Sequence, residues 1–107
     1  NDNKTTAAEM GRLLELIYSK KITNDSLTAE FLDFMRDTDF EDRLARDLPS
    51  NVSVYHKAAD AITMVHDVGV VDDGKKSFIL SILTTDATNE GEAKKTIGAI
   101  SKFIYGE

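Results

Sequence analysis

The sequence predicts an α+β fold: a helical hairpin, then three antiparallel strands, then a C-terminal helix packed on the sheet. Three observations support this class. Apolar residues recur at helical spacing in the first third of the chain, alternate or cluster as β-branched runs in the middle, and return to helical spacing at the end. A chain of 107 residues has room for one modest core. We therefore expect residues 1–107 to form a single segment.

The first helix is predicted from its start signal and its apolar stripe. Thr6 and Glu9 have the spacing of a capping box, so the helix should begin there. The stripe behind the cap ends near Ser19 and consists of Met10, Leu13, Leu14 and Ile17. A second helix should follow, capped by Thr23. Its predicted buried face carries Leu27, Phe31, Phe34 and Met35.

The segment from Phe40 to Asp47 is compatible with a short helix or an ordered loop closed by Pro49. After it, the alternation in residues 52–57 predicts a half-buried strand. Residues 64–71 and 78–83 predict two more strands, joined as a hairpin by Asp72-Asp73-Gly74. Asn89 and Glu92 then open a final helix. Its apolar positions are Ala93, Ile97, Ile100 and Ile104.

Composition excludes several classes of function. With 13 basic and 19 acidic residues the net charge is −6, which would repel nucleic acid, so no nucleic-acid partner is expected. The longest apolar run, residues 78–83, is far shorter than the roughly 20 residues that a membrane span needs. No apolar signal-peptide region follows Asn1, so either the protein is cytoplasmic or this is the interior of a longer precursor. The absence of cysteine excludes disulfides and thiolate chemistry.

No metal or cofactor site is expected. His56, His66 and Asp67 offer two imidazoles and one carboxylate, but no further ligand is spaced to complete a tetrahedral set. Each histidine is instead expected on a strand near the edge of the sheet. No serine lies in a glycine-flanked elbow or has a lysine three residues on, and the glycines form no phosphate-binding pattern. The acidic pairs are expected to solvate helical surfaces: Glu30/Asp33, Asp37/Asp39 and Glu41/Asp42.

The strand at Lys57 and the Asp67-Val68-Gly69 stretch after it give the chain a recognisable pattern. It resembles the C-terminal portion of the serine β-lactamase and penicillin-binding protein family, nearest to the class A β-lactamases. That family carries a lysine-threonine-glycine element on an edge strand. The resemblance covers essentially the whole chain. It also takes in Asn3 with Thr5-Thr6, Leu48-Pro49, the hairpin, Thr84-Thr85 and the closing helix.

The resemblance implies roles for four consecutive residues. Lys57 matches the family lysine that attracts the substrate carboxylate and tunes a proton relay. Ala58 stands where a hydroxyl would bind that carboxylate, and losing such a hydrogen bond should cost about 1.5–3 kcal/mol of binding. Ala59 replaces a glycine that lets substrate lie close to the strand. Asp60 falls where a backbone amide enters the oxyanion hole, with a carboxylate that is electrostatically adverse there. An ordinary edge-strand lysine that discourages aggregation is the alternative for Lys57.

The family's acylating serine, its lysine and its deacylating glutamate have no match in the chain, and in the family they would precede Asn1. The resemblance thus implies a C-terminal segment of a β-lactamase-like serine hydrolase that is inactive alone. Its partners would be the missing N-terminal half or a second copy, recruited by exposed apolar sheet surface. The complete protein would bind a β-lactam or peptidoglycan-type ligand outside the cytoplasmic membrane, secreted or in the cell envelope. A non-catalytic pseudoenzyme and an independent small α+β interaction module are the alternatives.

Overall fold

A computed structural model describes residues 4–107 of the chain, and its elements confirm the predicted α+β class. In chain order they are α1 (Ala7–Tyr18), α2 (Asp25–Phe34), β1 (Ser53–Ala61), β2 (Met64–Asp72), β3 (Ser77–Leu83) and α3 (Glu90–Tyr105). The strands form one antiparallel sheet in the order β1-β2-β3. Residues 35–52 between α2 and β1 are turns and irregular chain, so the segment around Phe40–Asp47 is an ordered loop rather than a helix.

The helix starts follow their capping residues. The Thr6 side chain accepts from the Glu9 N–H while Glu9 bonds back to the Thr6 N–H, which confirms the predicted capping box of α1. Asn89 accepts from the Glu92 N–H and caps α3 as predicted. The cap of α2 is Asn24 rather than Thr23. Its side-chain oxygen accepts from the Leu27 N–H, three residues on, as an N-cap requires.

The predicted buried face of α2 is wrong except at Met35, which directly follows the helix and packs against a core cluster. Leu27, Phe31 and Phe34 are exposed, Phe34 by 78%, whereas Thr28 is buried. The periodicity located an apolar stripe on the helix but could not show which stripe faces the rest of the chain. α2 packs through the adjacent stripe, which contains Thr28. The main exposed apolar surface therefore lies on the helices, not on the sheet as the resemblance implied. We call it the helical groove; it is lined by Ile17, Ile22, Leu27, Phe31 and Phe34.

Both connections within the sheet are hairpins. Ile62 and Thr63 join β1 to β2, and Thr63 adopts the left-handed backbone that such a tight turn needs (φ 59°). Antiparallel pairing with β2 extends β1 as far as Ala61, beyond the predicted end near Lys57. β1 and β3 are the edge strands. His66 therefore lies on the central strand, which corrects the expectation that both histidines lie near an edge.

Helices lie on both faces of the sheet. α1 packs across β2 and β3 on one face, over a cluster that contains Leu14, Val68 and Val70. The other face meets α3 and the loop, and its buried residues are Leu44, Val54, Val65, Val71 and Ile97. This layered arrangement leaves the outer edge of β1 to be covered only by the loop. None of the helices within residues 4–107 is long and apolar enough to cross a membrane.

Candidate functional site

The outer edge of β1 is covered at one end and open at the other. The His56 N–H points away from β2 and donates to the Met35 carbonyl of the loop (2.9 Å). Backbone groups of alternate residues point to the same side of a strand, so the N–H groups of Ala58 and Asp60 face this outer edge as well. The strand therefore presents two edge amides beyond the point where the loop leaves it.

Lys57 lies beside these amides. It is exposed, pairs with Val68 in the sheet, and its Nζ donates to the Ala58 carbonyl at the edge (2.7 Å). An open cleft of about 400 Å³ adjoins it. We call this the edge cleft; its walls are Phe34 at the end of α2, residues 35–40 of the loop and residues 56–58 of β1. The cleft thus combines a cation with polar backbone groups.

The other three predicted site residues share the strand with Lys57, and of these only Ala58 is buried. Ala58 is 4% exposed and faces the loop side of the sheet together with His56 and Asp60. Ala59 lies on the opposite face, as Lys57 does, and is exposed. The structure therefore brings Lys57 and the backbone of residues 58–60 to one edge. Neither alanine can offer a side-chain hydrogen bond.

The Asp60 carboxylate is paired with a buried guanidinium. Arg43 Nη1 lies 2.5 Å from Asp60 Oδ1 and Nη2 lies 2.8 Å from Oδ2. Arg43 is 1% exposed and also donates to the carbonyls of Ala59 (3.4 Å) and His66 (3.2 Å). The hydrogen bonds and charge of Arg43 lower the pKa of Asp60. The charge that the sequence placed at an oxyanion position is therefore compensated, and it points to the loop side of the sheet.

His56 occupies the centre of a second polar cluster, which we call the imidazole cluster: Glu41, His56 and Asp67. His56 Nδ1 lies 2.8 Å from Asp67 Oδ1, and Nε2 lies 2.7 Å from Glu41 Oε2. The other Asp67 oxygen accepts from the Leu44 N–H (3.1 Å). His56 is 1% exposed and Asp67 is fully buried. A ring with a carboxylate on each nitrogen is stabilised as the imidazolium, which donates from both.

The charges of the imidazole cluster reinforce one another. Burial alone would lower the pKa of His56, but hydrogen bonds and charges from Asp67 and Glu41 outweigh burial and raise that pKa. Burial likewise opposes ionisation of Glu41, yet hydrogen bonds from Thr38 and His56 hold the pKa of Glu41 below its usual value. The cluster is therefore an ionic bridge from the loop through β1 to β2.

The cluster does not provide a nucleophile with its base. Thr38 Oγ1, His56 and Asp67 follow one another in space in the order that such a triad requires. The Thr38 hydroxyl, however, donates to Glu41 Oε2 (2.7 Å), and its separation from His56 Nε2 is 3.5 Å. Since Glu41 holds the proton on Nε2, the ring cannot accept one from Thr38. The histidine is structural here.

Comparison with known proteins identifies the family. The profile of the beta-lactamase enzyme family matches residues 1–107, the whole sequence. The chain belongs to this family. This confirms the resemblance seen in the sequence. No curated protein sequence matches the chain.

Solved structures share the fold of this beta-lactamase family chain. The TLA-1 extended spectrum beta-lactamase superposes with a TM-score of 0.86 and 23% identity, over 95% of this chain and 41% of that one. PBP-A gives a TM-score of 0.86 and 22% identity, over 95% and 39%. A class A beta-lactamase from Bacteroides cellulosilyticus gives 0.80 and 23%, over 95% and 40%. A variant of PBP-A was solved as an acyl-enzyme complex with penicillin G. The chain spans about two fifths of these structures.

Sequence reasoning missed Arg43 and Glu41 in this family member. Glu41 and Asp42 were expected to solvate a helical surface, but Glu41 bonds His56 and Asp42 bonds Arg43 and Lys94. Both residues lie in irregular chain, where no periodicity indicates which side chains point inward.

Gly69 makes room for the imidazole cluster. It pairs with His56 across the sheet, and a Cβ at residue 69 would lie 2.6 Å from His56 Cβ and 2.9 Å from the Tyr55 carbonyl oxygen. The aspartate-valine-glycine stretch noted in the sequence thus supplies a bond to His56 through Asp67 and space for it through Gly69. Within residues 4–107 no group of three or more histidine or acidic side chains could hold a metal ion.

Proposed function

We propose that this chain is the C-terminal segment of a β-lactamase-like serine hydrolase. The complete protein would hydrolyse the amide of a β-lactam or of a peptidoglycan peptide through an acyl-enzyme, and this chain would supply the lysine-bearing strand. Membership of the beta-lactamase enzyme family supports the reaction class. The acyl-enzyme that a PBP-A variant forms with penicillin G supports the ligand class, since PBP-A has the same fold.

The observation that carries the proposal is Lys57 beside the open edge of β1. A β-lactam is a peptide-like molecule with a carboxylate, so it can lie along a strand edge and use backbone hydrogen bonds, as an added strand does. The Asp60 N–H would then face the carbonyl under attack, while the Lys57 ammonium would attract the carboxylate. Ala58 and Ala59 lie between these two groups and add no side-chain donor.

The isolated chain would be inactive because it lacks a nucleophile of the family type. No serine in the sequence has a lysine three residues on. The missing groups would come from an N-terminal half of the fold, because a second copy of the chain carries no such serine either. By family membership the complete protein would act outside the cytoplasmic membrane, secreted or in the cell envelope. Residues 1–107 would then be one part of a single hydrolase domain.

A non-catalytic pseudoenzyme is the second candidate, and the Arg43 to Asp60 ion pair favours it. A guanidinium beside the strand is a natural carboxylate receptor, but Asp60 already holds it in bidentate geometry. Together with Ala58 and Ala59, this pairing leaves Lys57 as the one side chain of residues 57–60 free to bind a ligand carboxylate. A ligand would bind more weakly than in an enzyme with the threonine and glycine.

Nitrocefin hydrolysis tests the proposal. We expect turnover by the full-length parent and none by this chain alone. In the parent, Lys57→Ala should reduce kcat/KM by about 10–200-fold, the effect of losing about 1.5–3 kcal/mol from a charge-assisted contact. Lys75→Ala is the matched control, because Lys75 lies in the exposed turn between β2 and β3. Turnover by the isolated chain would contradict the location of the nucleophile, and an inactive parent would favour the pseudoenzyme.

A further inference from the structure

The loop holds the covered end of the β1 edge at one residue through two different kinds of contact. The His56 backbone N–H donates to the Met35 carbonyl, and the His56 ring donates to Glu41. Met35 belongs to the loop wall of the edge cleft, and Glu41 directly follows the last residue of that wall. The separation of that wall from Lys57 is therefore set by contacts made through His56.

The ring also connects this docking to the centre of the sheet. Asp67 on β2 accepts from His56 Nδ1 and from the Leu44 N–H, so it bonds both the strand and the loop. Asp67 is fully buried and lies beneath the loop rather than in the cleft. Ring and carboxylates together form a continuous path from the loop through β1 to β2.

We propose that His56, held as an imidazolium between Glu41 and Asp67, is the positioning residue that docks the loop on β1 and thereby sets the place of Lys57 in the edge cleft. This inference rests on the role proposed for Lys57. Loss of the ring proton would leave two carboxylates competing for one remaining N–H. The loop would then separate from the covered end of the strand, and the cleft would widen.

The charged groups around the His56 ring favour its protonated form. From the loop the ring faces Glu41 and the Thr38 hydroxyl, and from β2 it faces Asp67. The other charged groups of the cleft wall are Arg36, Asp37, Asp39 and Lys57. The nearby Arg43 is paired with Asp60 and Asp42. Two carboxylates thus bond the ring directly, and no cation within residues 4–107 does.

NMR measurements of amide hydrogen exchange and of ring ¹⁵N shifts in this chain test the proposal. They are made from about pH 5 to about pH 10, a range that extends above the usual pKa of histidine. We expect the His56 ring to lose its proton above the usual pH range of a histidine, because Asp67 and Glu41 raise its pKa. The protection factor of the His56 amide, corrected for intrinsic exchange, should fall at least about tenfold over the same pH range. Persistent protection of that amide after the ring deprotonates would overturn the proposal.

Glu41→Gln keeps an acceptor for Nε2 but removes its charge, and the partial exposure of Glu41 lets the variant fold. It should move both the ring titration and the loss of amide protection to lower pH. A purely steric role of Glu41 would move neither. Glu15→Gln on the exposed face of α1 is the control and should leave both unchanged. Equal titration in the two variants would contradict the proposal.

This outcome is separable from that of the proposed function. Lys57→Ala should weaken ligand binding at the edge by about 10–200-fold, while it leaves the His56 titration and amide protection as they are. If the titration behaves as described but no β-lactam binds, the positioning role stands and the proposed function fails. If β-lactam binds while the His56 amide stays protected at every pH, the proposed function stands and the positioning role fails.

Discussion

The loop side of the sheet and the helical groove differ in how completely the chain supplies contact partners for their side chains. On the loop side, a buried arginine, histidine and aspartate each find oppositely charged partners within residues 4–107. In the helical groove, Phe31 and Phe34 lie in a row with little covering them. The polar network beneath the edge cleft is thus self-contained, whereas the apolar surface of α2 is not. Within residues 4–107, the buried charges beneath the candidate site therefore have partners in the chain itself.

Among the polar contacts, the largest effect should come from breaking the Arg43 to Asp60 pair. Arg43→Met leaves the Asp60 carboxylate and two carbonyls without their donor. We expect the free energy of unfolding to fall by about 2–4 kcal/mol, less than for a fully buried pair because Asp60 is 37% exposed. Urea unfolding followed by circular dichroism measures it.

Arg46→Met is the control for this change. Arg46 is exposed, so its removal should alter the free energy of unfolding by no more than about 0.5 kcal/mol. A double variant with Asp60→Ala should recover part of the Arg43→Met loss, because it removes the unpaired carboxylate. Equal destabilisation by the two arginine variants would show that the pair is not what stabilises this side of the sheet.

Gly69→Ala should have the next largest effect. The new methyl group would collide with His56 Cβ and with a backbone oxygen that cannot easily move. We expect a loss of about 1–3 kcal/mol in thermal or urea unfolding. Gly91→Ala in the first turn of α3 meets only Asn89 Oδ1 at 3.5 Å and should be neutral or slightly stabilising. A stable Gly69→Ala chain would contradict the close packing of His56.

Stability should also depend on pH through His56, with a slope of at most about 1.4 kcal/mol per pH unit for one proton. Since the folded-state pKa is raised, the stabilisation is fully present below the unfolded pKa and is lost as pH rises through the folded pKa. Urea unfolding at a series of pH values should show this alkaline loss. His56→Gln should abolish it and His66→Gln should not.

The acidic side of the pH profile has the opposite sign. The folded-state pKa values of Glu41 and Asp60 are lowered, so their contributions are present above the unfolded pKa and lost as pH falls through the folded pKa. Glu41→Gln and Asp60→Asn should each make the acid limb of the same urea series shallower. Unchanged acid limbs in both variants would contradict the two ion pairs.

The smallest effect should come from the helical groove. Phe34 is largely exposed, so Phe34→Ser should change the free energy of unfolding by only about 0.5 kcal/mol or less. Leu44→Ala, at a fully buried position of the loop-side core, should cost about 2–5 kcal/mol. Light scattering on the same samples reports self-association. A large loss from Phe34→Ser would show that the groove is covered.

Local signals predicted most of this fold. The capping box at Thr6, the cap at Asn89 and the turn at Asp72 act over three or four residues, so the sequence displays them directly. The candidate site was harder to predict from the sequence. Lys57 could be proposed from the sequence because it lies within a strand motif, whereas Arg43 and Glu41 act across tertiary contacts that join an irregular loop to β1. The burial of Phe34 was predicted wrongly for the same reason. The apolar face of a helix can be recognised in the sequence, but the element that would cover it cannot.

Titration of the ¹⁵N-labelled chain with benzylpenicillin, followed by NMR, tests most directly whether the open edge of β1 and Lys57 form a β-lactam carboxylate site. We expect concentration-dependent shifts of the Lys57, Ala58 and Asp60 amides. These shifts should disappear in Lys57→Ala and persist in Lys75→Ala. Unperturbed amides at the edge, or the same shifts in Lys57→Ala, would contradict the role of Lys57.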